Sequence, residues 1–544
     1  MKKTLILTLL TAATALCAVA AEQTATPAKG KAKSSAEGKT KKSSKSKKSA
    51  DGKSKKSAEG KTKDTAAEDG YVIVISNATA TQPEWTNVVK ALIKKHPEAK
   101  SCVLPALNEV NLTKVLQKNQ ARYLAVVARP EEVGRVLVND IHRAARKVDD
   151  DPWGDCMWGI ITGHTAADAL RIAKASKPLT IKRALGSTNL DASRFEHSCC
   201  ITDWTGFPVL EQSGYTEPTQ TTYTNETEEG RDIQQNGIQG IFAKQLATQK
   251  PQLIVTSSHA TQFNLEMPFS MGLIFPAENR YYELPRPLMN KFVSGHLMPA
   301  LHGQQEKLMQ LVKEEKLKSI DPDGETRVWL AAGNCLFGDA HNSDQSMAVT
   351  ALSAYTCNQV VGYTVPSWYG KSGWGTMGTF FGNAKNTSLA EAHFLNNQFI
   401  LHETMQLDPK LMNVSYNDED FLPNKMVMDL SRAGVQVTEG NAKDCMGLVH
   451  DRDVLAFYGD PTWRAMLDTE HGNVPGFSVT WEGDTTFTIT ADTAAKSRVG
   501  IWFPKRINGA SCDRSDAVVT DDFILFPELD MQQGETLKIN LSGK

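Results

Sequence analysis

From Tyr71 onward, short runs of β-branched and apolar residues alternate with stretches whose apolar positions recur every three or four residues. YVIVIS is followed by EWTNVVKALIKKHP, SCVLP, VNLTKVLQKN and YLAVVAR, which predicts a βαβαβ order. The alternation continues with GRVLVNDIHRAARKV as a helix, MWGIITG as a strand, and TAADALRIAKAS as a helix capped by Thr165 with Asp168 in the capping-box position. Further apolar runs, SCCITDW, LIVTSS, RVWLAAG, QVVGYTV and VLAFYG, lack alternation and read as strands buried on both faces. The fold class expected from this pattern is α/β, a parallel sheet flanked by helices.

After about Gly472 the period changes to two. FSVTW, TTFTITA, RVGIWF, AVVTDDFILF and TLKINL are separated by Gly, Asp and Asn turns, the pattern of a small all-β sandwich.

The amino end reads differently. Lys2 and Lys3, an apolar run from Leu5 to Leu16 and Ala18-Val19-Ala20 have the layout of a signal peptide, with cleavage after Ala20 or Ala21, and the run is shorter than a membrane span needs. Leu16 before Cys17 argues against lipidation. Between Ala21 and Gly70 there is no Val, Leu, Ile, Met, Phe, Trp or Tyr, so this linker is expected to be disordered. Its residues 28–63 hold 14 Lys against three acids and repeat SAEGKTK, SADGKSK and SAEGKTK. Such a segment is either a solvated spacer or an electrostatic attachment to an anionic cell surface or glycan; nucleic acid is not an expected partner of an exported chain. The leader carries +2 and the linker +7, so of the overall −2 the remaining 71–544 hold −11. The expected division is 1–20 signal peptide, 21–70 linker, 71–155 N-terminal α/β subdomain, 156–470 main α/β domain and 471–544 sandwich. Export would place the chain in the periplasm, on the cell surface or outside the cell. Eight of nine Cys survive signal removal, and their pairing is not legible.

Parallel sheets bind ligands at the carboxyl ends of their strands, where two polar residues stand out. His259 follows LIVTSS, and Cys335 follows RVWLAAG in RVWLAAGNCLFGD. On neighbouring strand ends, an imidazole could hold the thiol as thiolate and protonate a leaving amine. A Cys after an apolar strand is more often a small core residue, and a single His more often structural.

The ordered motifs around this pair resemble the gingipain family of caspase-like cysteine peptidases. There a strand ends in the catalytic His, and a later strand ends in Cys-x-x-Gly-Asp, as Cys335-Leu336-Phe337-Gly338-Asp339 does. GIITGHTAADALRIA is similar to the family's upstream strand with Gly-Arg, with His164 after Gly163 instead of Arg. Ser367 and Trp368 match its Ser-Trp, Gly459-Asp460-Pro461 its closing turn, and the all-β tail its immunoglobulin-like sandwich. The resemblance implies a caspase-like catalytic sheet and a secreted cysteine endopeptidase with His259 and Cys335 as the dyad. It further implies Ala260 and Cys335 as amide donors to the oxyanion, Trp368 as a pocket wall, no catalytic metal, and cleavage after Arg or Lys. Ala260 replaces the family's Gly while keeping the backbone N–H. The 76 positions from His259 to Cys335 imply an insertion over Met267 to about Ser319, within which His302-Gly303 is a rival to His259. Asp203, after SCCIT, is a candidate pocket acid, although a turn carboxylate is the plainer reading.

Three other motifs have plainer readings. HETMQ at His402 has Gln406 where a zinc helix needs a second His. Gly373-Trp374-Gly375-Thr376-Met377-Gly378 fits GxGxxG but follows a loop, not a strand. Asp149, Asp150, Asp151 and Asp155 form either a solvated helix end or oxygen ligands for a structural calcium ion. The functional alternatives are a catalytically inactive, peptidase-like surface binding or adhesion protein, or a periplasmic ligand-binding α/β protein.

Overall fold

In the computed structural model, the described residues are 70–543 apart from 189, 203–208, 214–218, 269–270, 293–304, 315, 373, 417–422 and 472–475. The linker, Asp203 and His302 therefore lie outside them.

The apolar runs form a 12-stranded sheet. Its order is Lys100–Leu104, Tyr71–Ser76, Tyr123–Val127, Met157–Ile161, Leu455–Tyr458, Cys357–Tyr363, Arg327–Ala331, Leu253–Thr256, Arg183–Ser187, His197–Thr202, Val209–Ser213 and Thr219–Thr222. The five strands from Lys100–Leu104 to Leu455–Tyr458 are mutually parallel, as are the five from Cys357–Tyr363 to His197–Thr202. The two sets meet antiparallel, Val360 opposite Tyr458, so their carboxyl ends face opposite ways. The boundary expected at 155/156 divides neighbouring strands of this one sheet, since Tyr123 pairs with Met157.

Helices cover the sheet as the period of apolar positions requires. Pro83–Lys95 buries Trp85, Val88 and Leu92, and Ala166–Lys174 buries Ala169, Ile172 and Ala173. Thr165 and Asp168 make the expected capping box. No helix among the described residues is long and apolar enough to cross a membrane.

The long stretch between His259 and Cys335 builds a separate five-stranded antiparallel sheet, from Ala260–Thr261 to Ser319–Ile320. It has its own core of Leu273, Phe275, Leu284, Met289, Leu308, Val312 and Leu317.

The tail forms two three-stranded antiparallel sheets that share a core including Phe487, Ile489, Ile524, Phe526 and Ile539. AVVTDDFILF is two strands, not one: Thr520 Oγ1 accepts the N–H groups of Asp522 and Phe523, turning the chain between Val518–Val519 and Phe523–Met531. The tail is locked to the main sheet. Asp522 is buried against Arg122 at 2.6 Å and Arg506 at 2.5 Å, and Arg122 also donates to the Phe503 carbonyl at 2.8 Å.

Candidate functional site

The chain leaves Arg183–Ser187 for His197–Thr202 on one side and returns to Leu253–Thr256 on the other. The order thus reverses beside the strand that leads to His259, where open α/β sheets form their ligand crevice. Leu253–Thr256 and Arg327–Ala331 are adjacent and parallel, Thr256 level with Ala331. His259 therefore lies three residues, and Cys335 four, beyond neighbouring strand ends. His164 belongs elsewhere. Its strand runs opposite to Cys357–Tyr363, with Ile160 level with Tyr458 and, across it, Val360; its Nδ1 lies 3.2 Å from Asp344.

Cys335 sits in a turn laced to the next strand. Leu336 adopts a left-handed φ of 59° and donates to the Val365 carbonyl, while Gly338 donates to Tyr363. A Cβ on Gly338 would lie 2.2 Å from the Gly362 carbonyl oxygen, so only glycine permits this crossing. Ser367 wraps the thiol: its N–H donates to Cys335 Sγ at 3.3 Å, its Oγ is 3.5 Å from the sulfur, and that hydroxyl donates to the Gly333 carbonyl at 2.8 Å. The thiol is partly exposed.

The eight thiols outside the leader are all unpaired. Burial pushes Cys199 and Cys357 up to about 12, and raises Cys156, Cys200 and Cys445. Those five are buried core residues; Cys335 shares only partial exposure with Cys102 and Cys512.

His259 is exposed, and among the described residues its ring makes no hydrogen bond with Cys335. Its carbonyl accepts the Glu266 N–H at 2.9 Å. His259 and Glu266 are thus a hydrogen-bonded pair of the hairpin, which makes Ala260 opposite Leu265 the alternate kind, with its N–H turned away from the partner strand. The Cys335 N–H likewise meets no acceptor among the described residues.

Asn334 joins the two turns. Fully buried, it accepts from Thr256 Oγ1 at 2.5 Å and donates to the Ser258 carbonyl at 2.9 Å. No periodicity in the sequence marks this residue; its signal is only its place before a strand-end Cys.

Two exposed indoles flank the turn. Trp368, 44% exposed, stacks on His450 at 6.3 Å, and Trp374 is 51% exposed. The GxGxxG segment thereby has a structural use. Trp374, Gly375 and Thr376 are all left-handed, and the segment lays Trp374 against Gly333, where an added Cβ would lie 3.3 Å from the ring.

His402 lies within the helix Leu389–Leu407 and stacks on Trp153 at 6.4 Å. Asp149, Asp151 and Asp155 bring one oxygen each within 4.8 Å of one another. Asp155 is 3% exposed and its Oδ2 has no hydrogen-bond partner, so an oxygen-ligated cation fits the group.

Compared with protein-family models, curated proteins and solved structures, the chain finds no match.

Proposed function

We propose that the chain is an exported cysteine endopeptidase of gingipain-like type, with Cys335 as nucleophile and His259 as proton carrier. The observation that carries this reading is a partly exposed thiol that receives an N–H and stands on a strand end next to the one bearing an exposed imidazole. The Cys335 thiolate attacks the peptide carbonyl, and the oxyanion is met by the N–H groups of Ala260 and Cys335. His259 protonates the leaving amine; it then takes a proton from water as that water opens the thioester, which regenerates the thiolate.

Arg or Lys is the side chain proposed before the cut, because an exposed indole such as Trp368 attracts a cation over its face. No metal enters this chemistry; the Asp149–Asp151–Asp155 group is proposed to hold a structural calcium ion. The Lys-rich linker is proposed to attach the protein to anionic surfaces. The tail is proposed to be immunoglobulin-like.

One observation favours a second reading, an inactive peptidase-like binding protein: the imidazole and thiol are not hydrogen-bonded to each other. Dyads of this kind are often loose without substrate. A peptide library incubated with the mature chain separates the readings. Turnover lost in both Cys335→Ala and His259→Ala supports the peptidase; no cleavage of any library member supports the binding protein.

A further inference from the structure

We infer that Asn334 is a positioning residue, its amide holding the turn of Cys335 and the turn of His259 in one fixed relation. The inference rests on the dyad reading and adds to it the device that sets the dyad's geometry. Asn334 precedes Cys335 directly, and the carbonyl it binds belongs to Ser258, which precedes His259 directly. Its Nδ2 also lies 3.3 Å from Ser258 Oγ.

The amide is one link of a hydrogen-bonded chain that starts in the buried sheet and reaches half-buried Ser258. Trp329 Nε1 donates to Thr256 Oγ1 at 3.0 Å, Thr256 Oγ1 donates to Asn334 Oδ1, Asn334 Nδ2 donates to Ser258, and Ser258 Oγ donates to the Glu266 carbonyl at 2.5 Å. Trp329 and Thr256 are fully buried in the adjacent strands. The chain thus runs from the sheet interior through both turns into the hairpin behind His259, and every link is directional. Replacing Asn334 by Ala leaves the Ser258 carbonyl and the Thr256 hydroxyl without this partner. Asp at the same position keeps the acceptor for Thr256 but has no donor for Ser258 when ionised, and sets a carboxylate against that carbonyl.

The test follows carboxymethylation of Cys335 by a limiting dose of iodoacetate, mapped by peptide, from pH 5 to pH 9. It uses wild type, His259→Ala, Asn334→Ala and Asn334→Asp, with thermal melts of each. The expected result is at least a tenfold loss of Cys335 labelling at pH 6 in both Asn334 variants, approaching the loss in His259→Ala, with wild-type labelling regained near pH 9. A purely structural Asn334 would lower the melting temperature and leave the pH profile in place. Asn334→Asp, matched in size, guards against a variant that does not fold. The inference is overturned if both Asn334 variants label at the wild-type rate at pH 6 while His259→Ala does not. If His259→Ala itself labels as wild type, the dyad reading falls, and the inference with it.

Discussion

The amide nitrogen of Ser367 lies 3.3 Å from the sulfur of Cys335. A backbone donor aimed at a sulfur is fixed in place before any charge develops there. Ser367, which follows the next strand, is held by its own bond to the Gly333 carbonyl, so the donor is tied to the turn that carries the thiol. The five buried thiols have no such exposure to solvent and are driven toward the neutral form by desolvation.

Gly333 is a packing requirement of this turn. A Cβ there would lie 2.2 Å from Ser257 Oγ and 3.3 Å from Trp374. Gly333→Ala is expected to cost about 1–3 kcal/mol through overpacking and to lower peptide turnover more than tenfold. Gly324→Ala, at φ 73° with no atom within 4 Å of the added Cβ, should strain the backbone without changing turnover. Chemical denaturation and turnover, measured on both variants, check this.

Two buried histidines should cost stability in acid over a defined window. His142 is fully buried, its Nε2 2.9 Å from the Leu455 carbonyl, and desolvation lowers its pKa to about 4. His393, 6.3 Å away, is lowered by the same cause and by His142. An unfolded His takes up its proton near pH 6.5, so between there and pH 4 the unfolded chain binds more protons and stability falls as pH falls. His142 alone accounts for about 3 kcal/mol of that loss. Asp155, whose pKa is raised on folding, acts in the opposite direction over the same range, so the His142 contribution is read as a difference between proteins: on going from pH 7 to pH 4.5 the urea midpoint of wild type should lose ground to that of His142→Gln. Equal changes of midpoint in the two proteins would contradict the assignment.

Calcium should stabilise the folded unit. Burial, then Asp149 and Asp151, push Asp155 up to about 9, a like-charge arrangement that a divalent ion would relieve. A cation at about 100 times its dissociation constant contributes about 2.7 kcal/mol, so the melting temperature in millimolar calcium should exceed that in chelator by a few degrees. Asp155→Asn should remove the difference. Equal melting temperatures for wild type in the two conditions would rule the ion out.

Much of this arrangement is legible in the residues. LIVTSS and RVWLAAG are buried strands, and His259 and Cys335 stand beyond their ends as expected. Thr165 and Asp168 announce a helix start by local chemistry, which needs no tertiary context. Direction does not read the same way. Leu455–Tyr458 runs opposite to Cys357–Tyr363 after a connection of some ninety residues, and no local pattern encodes which way a distant strand returns. That reversal separates His164 from Cys335, although the two motifs look alike as strand ends. Asn334 was hidden for another reason: its partners, Thr256 and Ser258, are more than seventy residues away and meet it only once the strands pair.

The central claim is that Cys335 is a nucleophile served by His259, and the rate at which each thiol is alkylated at pH 6 tests it most directly. With a limiting dose of iodoacetamide and peptide mapping, Cys335 is predicted to carry the first label, ahead of Cys102 and Cys512 despite their similar exposure, and far ahead of buried Cys357. His259→Ala is predicted to remove the lead over Cys102 and Cys512. Labelling of Cys335 no faster than Cys102 and Cys512 in the wild type, or a Cys335→Ala chain that still cleaves peptides, would contradict it.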